Sequence, residues 1–224
     1  IFGFETSLER LKAGKIHWAW NAKLPTYFGI LPRGGSAADL RWFKGPLREI
    51  THTFNARTQG NKVILEAPVG ETNPFPFFPA DPGNGDSPTA QRGWHVRRYV
   101  FDLGSKGDGY TEEILYSHPI GAFGRIDDRH ISLDNRYVYT QFTDPTRPFN
   151  EARAGNLRGR VTNCYTRFDM HGQGMSTYFA GDTHSLGEPV FVPRTANSAE
   201  GDGYLIGVAN NLAEMRSELI IADA

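Results

Sequence analysis

The sequence lacks the features that define several common classes of protein. It has a single cysteine, Cys164, among 224 residues, so no internal disulfide can form, and a reducing compartment such as the cytoplasm fits. The formal net charge of −1 gives no reason to expect nucleic acid or an acidic membrane surface as a partner. No apolar run approaches the roughly 20 residues that cross a bilayer. We therefore expect a cytoplasmic protein that binds no nucleic acid and has no transmembrane segment.

Familiar catalytic signatures are missing too. There is no Walker A phosphate loop, no Gly-x-Gly-x-x-Gly motif after a strand and no Gly-x-Ser-x-Gly elbow. The seven histidines form no compact metal motif such as His-Glu-x-x-His. The surroundings of Cys164 suggest no reactivity, which favours a buried structural thiol. The chain starts without an initiator methionine and stops on a strand-like run, so we interpret it as a fragment.

Turn-forming and aromatic residues are abundant. The 25 glycines, 14 prolines and 12% aromatic residues favour short strands over long helices. Thr6 or Ser7 could cap one short helix ending before Gly14. Many short strands predict an all-β propeller, barrel or sandwich, although no fixed-period repeat selects the propeller. The predicted strands are 17–20, 27–32, 40–43, 50–57, 62–67, 96–102, 111–116, 137–141, 163–169, 175–179, 188–192, 203–208 and 218–222.

Several segments together resemble the carotenoid cleavage oxygenase family, also called the retinal pigment epithelial membrane protein family. They are Thr-His-Thr-Phe-Asn-Ala at 51–56, Gly-Glu-Pro-Val-Phe-Val-Pro-Arg at 187–194, Glu-Gly-Asp-Gly-Tyr-Leu-Ile at 200–206 and the run at 217–224. Further matches at 8–14, 31–33 and 41–43 are similar to the lignostilbene dioxygenase branch. The resemblance covers nearly the whole chain. It implies that residues 1–224 are one domain, the C-terminal-half fragment of a seven-bladed β-propeller with long loops over its top face.

The resemblance also implies a metal site. His52 matches one of the family's four histidine ligands to a non-haem Fe(2+), and Glu188 matches an outer-shell carboxylate that orients such a ligand. Neutral imidazoles suit this ion, and two open positions let O2 and substrate approach. The segments that carry the other three histidines are not in the sequence. The family's second outer-shell glutamate corresponds to Ala122, so one imidazole would lack its carboxylate partner.

Phenylalanines provide the candidate substrate contacts. Prolines in the run Asn-Pro-Phe-Pro-Phe-Phe-Pro at 73–79 exclude a central strand there. Its aromatic residues Phe75, Phe77 and Phe78 either pack in the core or line a substrate tunnel. Phe54 would share a strand face with His52 and so approach the reacting double bond.

The implied reaction is cleavage of one carbon–carbon double bond by O2 to give two aldehydes. A hydroxylated stilbene related to lignin is the first substrate class, and an apocarotenoid or carotenoid is the alternative. Partners are thus O2 and a small apolar or aromatic substrate, and a homodimer remains open. Because three ligands are missing, we expect the isolated fragment to be inactive. A hypothesis of another class is a propeller-like binding module that is catalytically incomplete.

Overall fold

A computed structural model describes residues 3–73, 75, 94–117, 121, 123–157, 161–172 and 174–224. These residues form fifteen strands and two short α-helices, which confirms the all-β prediction. The helices are α1 (Leu8–Lys12) and α2 (Glu151–Ala154). The strands are β1 (Phe4–Thr6), β2 (Trp18–Trp20), β3 (Thr26–Ile30), β4 (Arg41–Gly45), β5 (Asn55–Gln59), β6 (Lys62–Val69), β7 (His95–Asp102), β8 (Thr111–Tyr116), β9 (Tyr137–Phe142), β10 (Cys164–Asp169), β11 (Met175–Phe179), β12 (His184–Leu186), β13 (Val190–Pro193), β14 (Gly203–Asn211) and β15 (Arg216–Asp223).

The two helices have ordinary caps. The side chain of Ser7 accepts a hydrogen bond from the backbone N–H of Arg10, so the cap of α1 is Ser7, the second of the two predicted capping residues. The predictions did not include α2, which lies in the long segment 142–158 and is capped by Asn150. Its single turn is too short to show a helical pattern in the sequence. No helix among the described residues is long and apolar enough to cross a membrane.

The strands pair antiparallel in sheets that follow one another along the chain. One sheet has the complete four-strand order β5-β6-β7-β8, and the next has the order β11-β10-β9. In the last sheet, β14 pairs with both β12 and β13 along one edge and with β15 along the other. Smaller sheets are formed by β1 with β2 and by β3 with β4.

Three hydrophobic clusters join consecutive sheets face to face. The first cluster packs Phe43 of β4 against Tyr99 and Phe101 of β7. The second joins β7 and β8 to β9 and β10, and the third joins β9 and β10 to the last sheet. Successive residues of β9 point into different clusters, since side chains alternate across a strand. The middle sheets are therefore buried on both faces, as consecutive propeller blades are.

Cys164, at the start of β10, is buried within this stack. Burial raises the pKa of its thiol to about 11. A thiol that stays protonated at neutral pH is a poor nucleophile, which agrees with the structural role predicted from the sequence.

Two predicted strands begin later than expected, because a bulge precedes each of them. The prediction of a strand over 50–57 is wrong for its first five residues, since β5 begins at Asn55. Glu49 bridges Gly70 and Asn55 pairs with Glu66, so residues 50–54 lie opposite only three residues, 67–69. The excess length displaces residues 50–53 from the ladder, while the backbone N–H of Phe54 donates to the carbonyl of Glu66 at 2.8 Å.

The second bulge separates β12 from β13. Leu186 pairs with Ala209 and Val190 with Ile206, so residues 187–189 lie opposite only 207 and 208. The predicted strand 188–192 therefore starts at Val190, and Glu188 lies outside the ladder. Bulges often redirect a side chain beside a functional site. Both candidate site residues, His52 and Glu188, lie in such bulges.

The buried carboxyl group of Glu49 predicts that stability falls as the pH rises. Glu49 is 3% exposed, and burial raises its pKa from 4.5 to about 8. Between these values the folded state keeps a proton that the unfolded chain releases, so the free energy of unfolding decreases with increasing pH. The neutral variant Glu49→Gln should lack this part of the pH dependence. Urea unfolding of both proteins between about pH 5 and pH 8 measures it, and parallel pH curves would contradict it.

Candidate metal-binding site

His52 is half-buried in the bulge that precedes β5. Its imidazole ring lies against the ring of Phe123, with 4.3 Å between the centroids and 44° between the planes. Strand pairing does not fix the position of His52, because the bulge removes it from the ladder. The ring contact with Phe123 is therefore an important constraint on where the imidazole lies.

Glu188 is exposed in the bulge between β12 and β13. Its Oε1 lies 2.7 Å from Nη2 of Arg125, and both side chains are about half accessible to solvent. The carboxylate thus has a guanidinium as its ion-pair partner. An exposed pair of this kind contributes little to stability, and its carboxylate remains able to accept another donor.

A short segment, residues 123–125, contacts both candidate site residues. Phe123 packs on His52, and Arg125 pairs with Glu188. Backbone hydrogen bonds of 2.7 and 2.8 Å between Arg125 and Tyr139 attach the segment to β9. Phe123 has a positive φ of 65°, which is uncommon for a bulky side chain and suggests a functional constraint. The sequence marks this segment only through its family match, and the matched glutamate position itself, Ala122, lies outside the described residues.

Gly124 has no room for a side chain. A Cβ atom at this position would overlap with the ring of Phe54. We expect Gly124→Ala to cost about 1–3 kcal/mol of unfolding free energy and to displace Phe123 from His52. Urea unfolding measures the first effect. The control is Gly109→Ala, whose added methyl group would meet nothing within 4 Å. Equal stability of the two variants would show that the contact between Gly124 and Phe54 is not tight.

The candidate substrate residues lie in different surroundings. Phe54 is 8% exposed and belongs to the second hydrophobic cluster, with Val96 and Phe168 among its members. The expectation that it shares a strand face with His52 is wrong, since neither residue is in a strand. Phe75 is half-buried with its ring 6.0 Å from that of Phe4. Phe77 and Phe78 lie outside the described residues, so their predicted roles remain predictions.

The described residues do not form a complete metal site. No three of their histidine, cysteine, aspartate or glutamate side chains come close enough together to hold an ion. Catalytic metal sites use about three or more protein ligands. His52 alone does not meet that requirement, so an iron centre needs ligands from other parts of a protein.

The described sheets pack face to face as consecutive propeller blades do. The class that this fold and site define is therefore a β-propeller protein with one candidate metal ligand, His52. The sequence profile of the family described as retinal pigment epithelial membrane protein matches residues 1–224. The chain therefore belongs to this family, which confirms the predicted resemblance.

Individual relatives agree with this assignment. Lignostilbene-alpha,beta-dioxygenase isozyme III of Sphingomonas paucimobilis is 36% identical over 219 residues, which are 96% of this chain and 44% of the relative. Isoeugenol monooxygenase of Pseudomonas putida is 34% identical over 222 residues, covering 97% of this chain and 44% of the relative. The chain thus spans less than half the length of these relatives.

A solved structure extends the likeness to the fold. The crystal structure of Pseudomonas brassicacearum lignostilbene dioxygenase superposes with a TM-score of 0.88 at 35% identity. The match covers 100% of this chain and 46% of that chain. The prediction of an all-β chain forming part of a seven-bladed propeller is confirmed.

Proposed function

We propose that these 224 residues are part of a non-haem Fe(2+) dioxygenase that cleaves a carbon–carbon double bond of a stilbenoid with O2 to give two aldehydes. The observation that carries this proposal is the joint position of His52 and Glu188. Both occupy bulges, and residues 123–125 contact both. The identity of about 35% to lignostilbene dioxygenases and the iron dependence of the family support it. We further propose that the whole chain belongs to one propeller domain.

The chain's own residues have separate roles in this proposal. His52 supplies one imidazole ligand, and Glu188 accepts an N–H from a ligand imidazole and fixes the orientation of that ring. Iron, when bound, supplies the activation of O2 that amino acid side chains cannot provide. Phe54, Phe75, Phe77 and Phe78 contribute apolar surface that excludes water and packs against flat substrate rings.

The proposed substrate is an aromatic alkene. The names of two relatives refer to lignostilbene and to isoeugenol, and both names describe such compounds. An apocarotenoid or carotenoid is the alternative within the same reaction class. The test is to assay the protein as its source produces it with a hydroxylated stilbene and an apocarotenoid side by side. Faster formation of two aldehydes from the stilbene supports the proposal, and cleavage of the apocarotenoid alone would replace the substrate class.

The isolated 224-residue chain should bind no stoichiometric iron and should cleave neither substrate. The reason is that one histidine ligand cannot retain the ion against a chelating buffer. Metal analysis after reconstitution with Fe(2+) and gel filtration measures this. One iron per isolated chain would contradict the expectation and would require a ligand set within these residues.

A second candidate function is that of a binding module without chemistry. The observation that favours it is that no metal-ligand cluster occurs among the described residues. Measuring alkene and O2 consumption together distinguishes the two functions. A binding module would retain an aromatic alkene unchanged in the presence of O2 and Fe(2+). The dioxygenase would consume one O2 for each alkene cleaved.

A further inference from the structure

We propose that Asn55 is a positioning residue for His52. Its side-chain amide fixes the loop of residues 130–135 and thereby holds Phe123 against the imidazole ring. We call this set of contacts the Asn55 clamp. The inference deepens the proposed function and rests on it, since His52 matters for catalysis only if it is a metal ligand.

Both polar atoms of the Asn55 side-chain amide, Nδ2 and Oδ1, make hydrogen bonds. Asn55 is the first residue of β5 and is 7% exposed. Its Nδ2, which carries two hydrogens, lies within hydrogen-bond distance of three acceptors: Oδ1 of Asn135 at 2.8 Å, the carbonyl oxygen of Leu133 at 2.9 Å and that of His130 at 3.3 Å. Its Oδ1 accepts from the backbone N–H of Ser132 at 3.0 Å. Oδ1 also accepts from the N–H of the next residue, 56, at 3.0 Å.

The loop makes several hydrogen bonds of its own, and the side chain of Asn55 attaches it to β5. Ser132 has a φ of 65°, so the backbone turns sharply there. Asn135 is 1% exposed, and a buried amide of this kind is costly to leave unpaired. Strand β5 provides one more attachment, an ion pair of 3.1 Å from Nε of Arg57 to Asp134. The loop is therefore fixed to β5, and the amide of Asn55 makes most of the contacts.

The fixed loop continues directly from the segment that contacts His52. Residues 123–125 are followed by the turn of 3-10 helix at Asp128–His130, which leads into the loop. Phe123, at the start of this stretch, packs on His52 with 4.3 Å between ring centroids. Strand pairing does not position the bulge, so the relative position of the two rings depends on how this stretch is attached. The backbone of Arg125 attaches one end of the stretch to β9. The Asn55 clamp attaches the other end to β5, three residues from His52.

The ring contact provides a readout that needs no metal. The ring current of Phe123 shifts the NMR signals of the His52 imidazole protons, and the shift disappears when the rings separate. The sample is the protein as its source produces it, freed of metal by a chelator and labelled at histidine ring carbons. His52→Gln assigns the signal, and Phe123→Leu gives its position without the ring current.

The variants distinguish a specific effect of Asn55 on the position of His52 from the general effect of losing any buried side-chain amide. Asn55→Ala removes the whole clamp. Asn55→Asp keeps the two accepted hydrogen bonds but replaces the donor by an oxygen that faces the three acceptors, and it is the second variant if the alanine variant does not fold. The matched control is Asn163→Ala. Asn163 is 4% exposed, accepts from the N–H of Asp144 at 2.8 Å and donates to its carbonyl at 3.0 Å, in a different loop.

We expect both Asn55→Ala and Asn55→Asp to move the His52 signal toward its position in Phe123→Leu, and Asn163→Ala to leave it unchanged. We also expect Asn55→Ala to weaken iron binding about tenfold. An unmoved His52 signal in Asn55→Ala and Asn55→Asp, or an equal movement in Asn163→Ala, would overturn the clamp. Failure of the proposed function looks different. In that case His52→Ala retains iron, whatever the NMR signal of His52 does.

Discussion

Replacing His52 by alanine should abolish both iron retention and alkene cleavage in the protein as its source produces it. In the proposed site of four histidines, loss of one ligand would lower the affinity for iron strongly, because catalytic metal sites rely on each of their few protein ligands. Iron analysis after gel filtration and O2 consumption with a hydroxylated stilbene measure the two effects. Folding should be retained, since His52 lies half-buried in a bulge and makes no ladder hydrogen bond with a neighbouring strand.

The matched control for this substitution is His17→Ala. His17 is also half-buried and also packs against an aromatic neighbour, with its ring 5.5 Å from that of Trp18. It should keep its iron and its turnover. Near-normal iron and turnover in His52→Ala would remove His52 from the site. Equal losses in both variants would point to a general effect on folding.

Replacing Glu66 by alanine should cost about 3–5 kcal/mol of unfolding free energy, the usual result of leaving buried charges without their partner. Glu66 of β6 is completely buried between two arginines. Its Oε1 lies 2.7 Å from Nη2 of Arg98 and 3.3 Å from Nη1 of Arg57. Alanine would leave both guanidinium groups without this carboxylate in a site of low accessibility. Urea unfolding monitored by tryptophan fluorescence measures the loss.

An exposed ion pair provides the comparison for Glu66. Glu214 lies 3.0 Å from Arg216 in the turn between β14 and β15, and both side chains are about half exposed. Glu214→Ala should change the unfolding free energy by less than about 0.5 kcal/mol, because solvent screens such a pair. If Glu66→Ala is as mild as this control, then water or a rearranged arginine compensates the buried charge.

The sequence predicted strand positions well where apolar and polar side chains alternate, and poorly where strands are short or interrupted by bulges. The predicted strands 111–116 and 175–179 coincide with β8 and β11 because turn residues bound them on both sides. The short strands β1 and β12 were not predicted, whereas β2, which is equally short, lies within the predicted strand 17–20. Three residues are too few to show a reliable pattern. Both bulges were also missed. A bulge is defined by the number of residues in the partner strand, which a single segment does not reveal.

The candidate site divides in the same way. Residue types and their order identified His52 and Glu188 through the family match, although those roles still need the experiments above. The contacts around them could not be predicted, because they join residues far apart in the sequence. The pairing of Arg125 with Glu188 and the packing of Phe123 on His52 depend on how three sheets stack. In the sequence, Asn55 is only one residue of the motif at 51–56. Its hydrogen bonds to the loop of residues 130–135 could be found only from the structure.

The most direct test of the central claim is native mass spectrometry of the protein as its source produces it. The proposal predicts one iron per polypeptide, in a polypeptide about twice as long as these 224 residues, as the 44% coverage of relatives suggests. It also predicts that the iron is lost in His52→Ala. A polypeptide of this length without iron, or one that keeps its iron when His52 is replaced, would contradict the claim that His52 belongs to an iron centre.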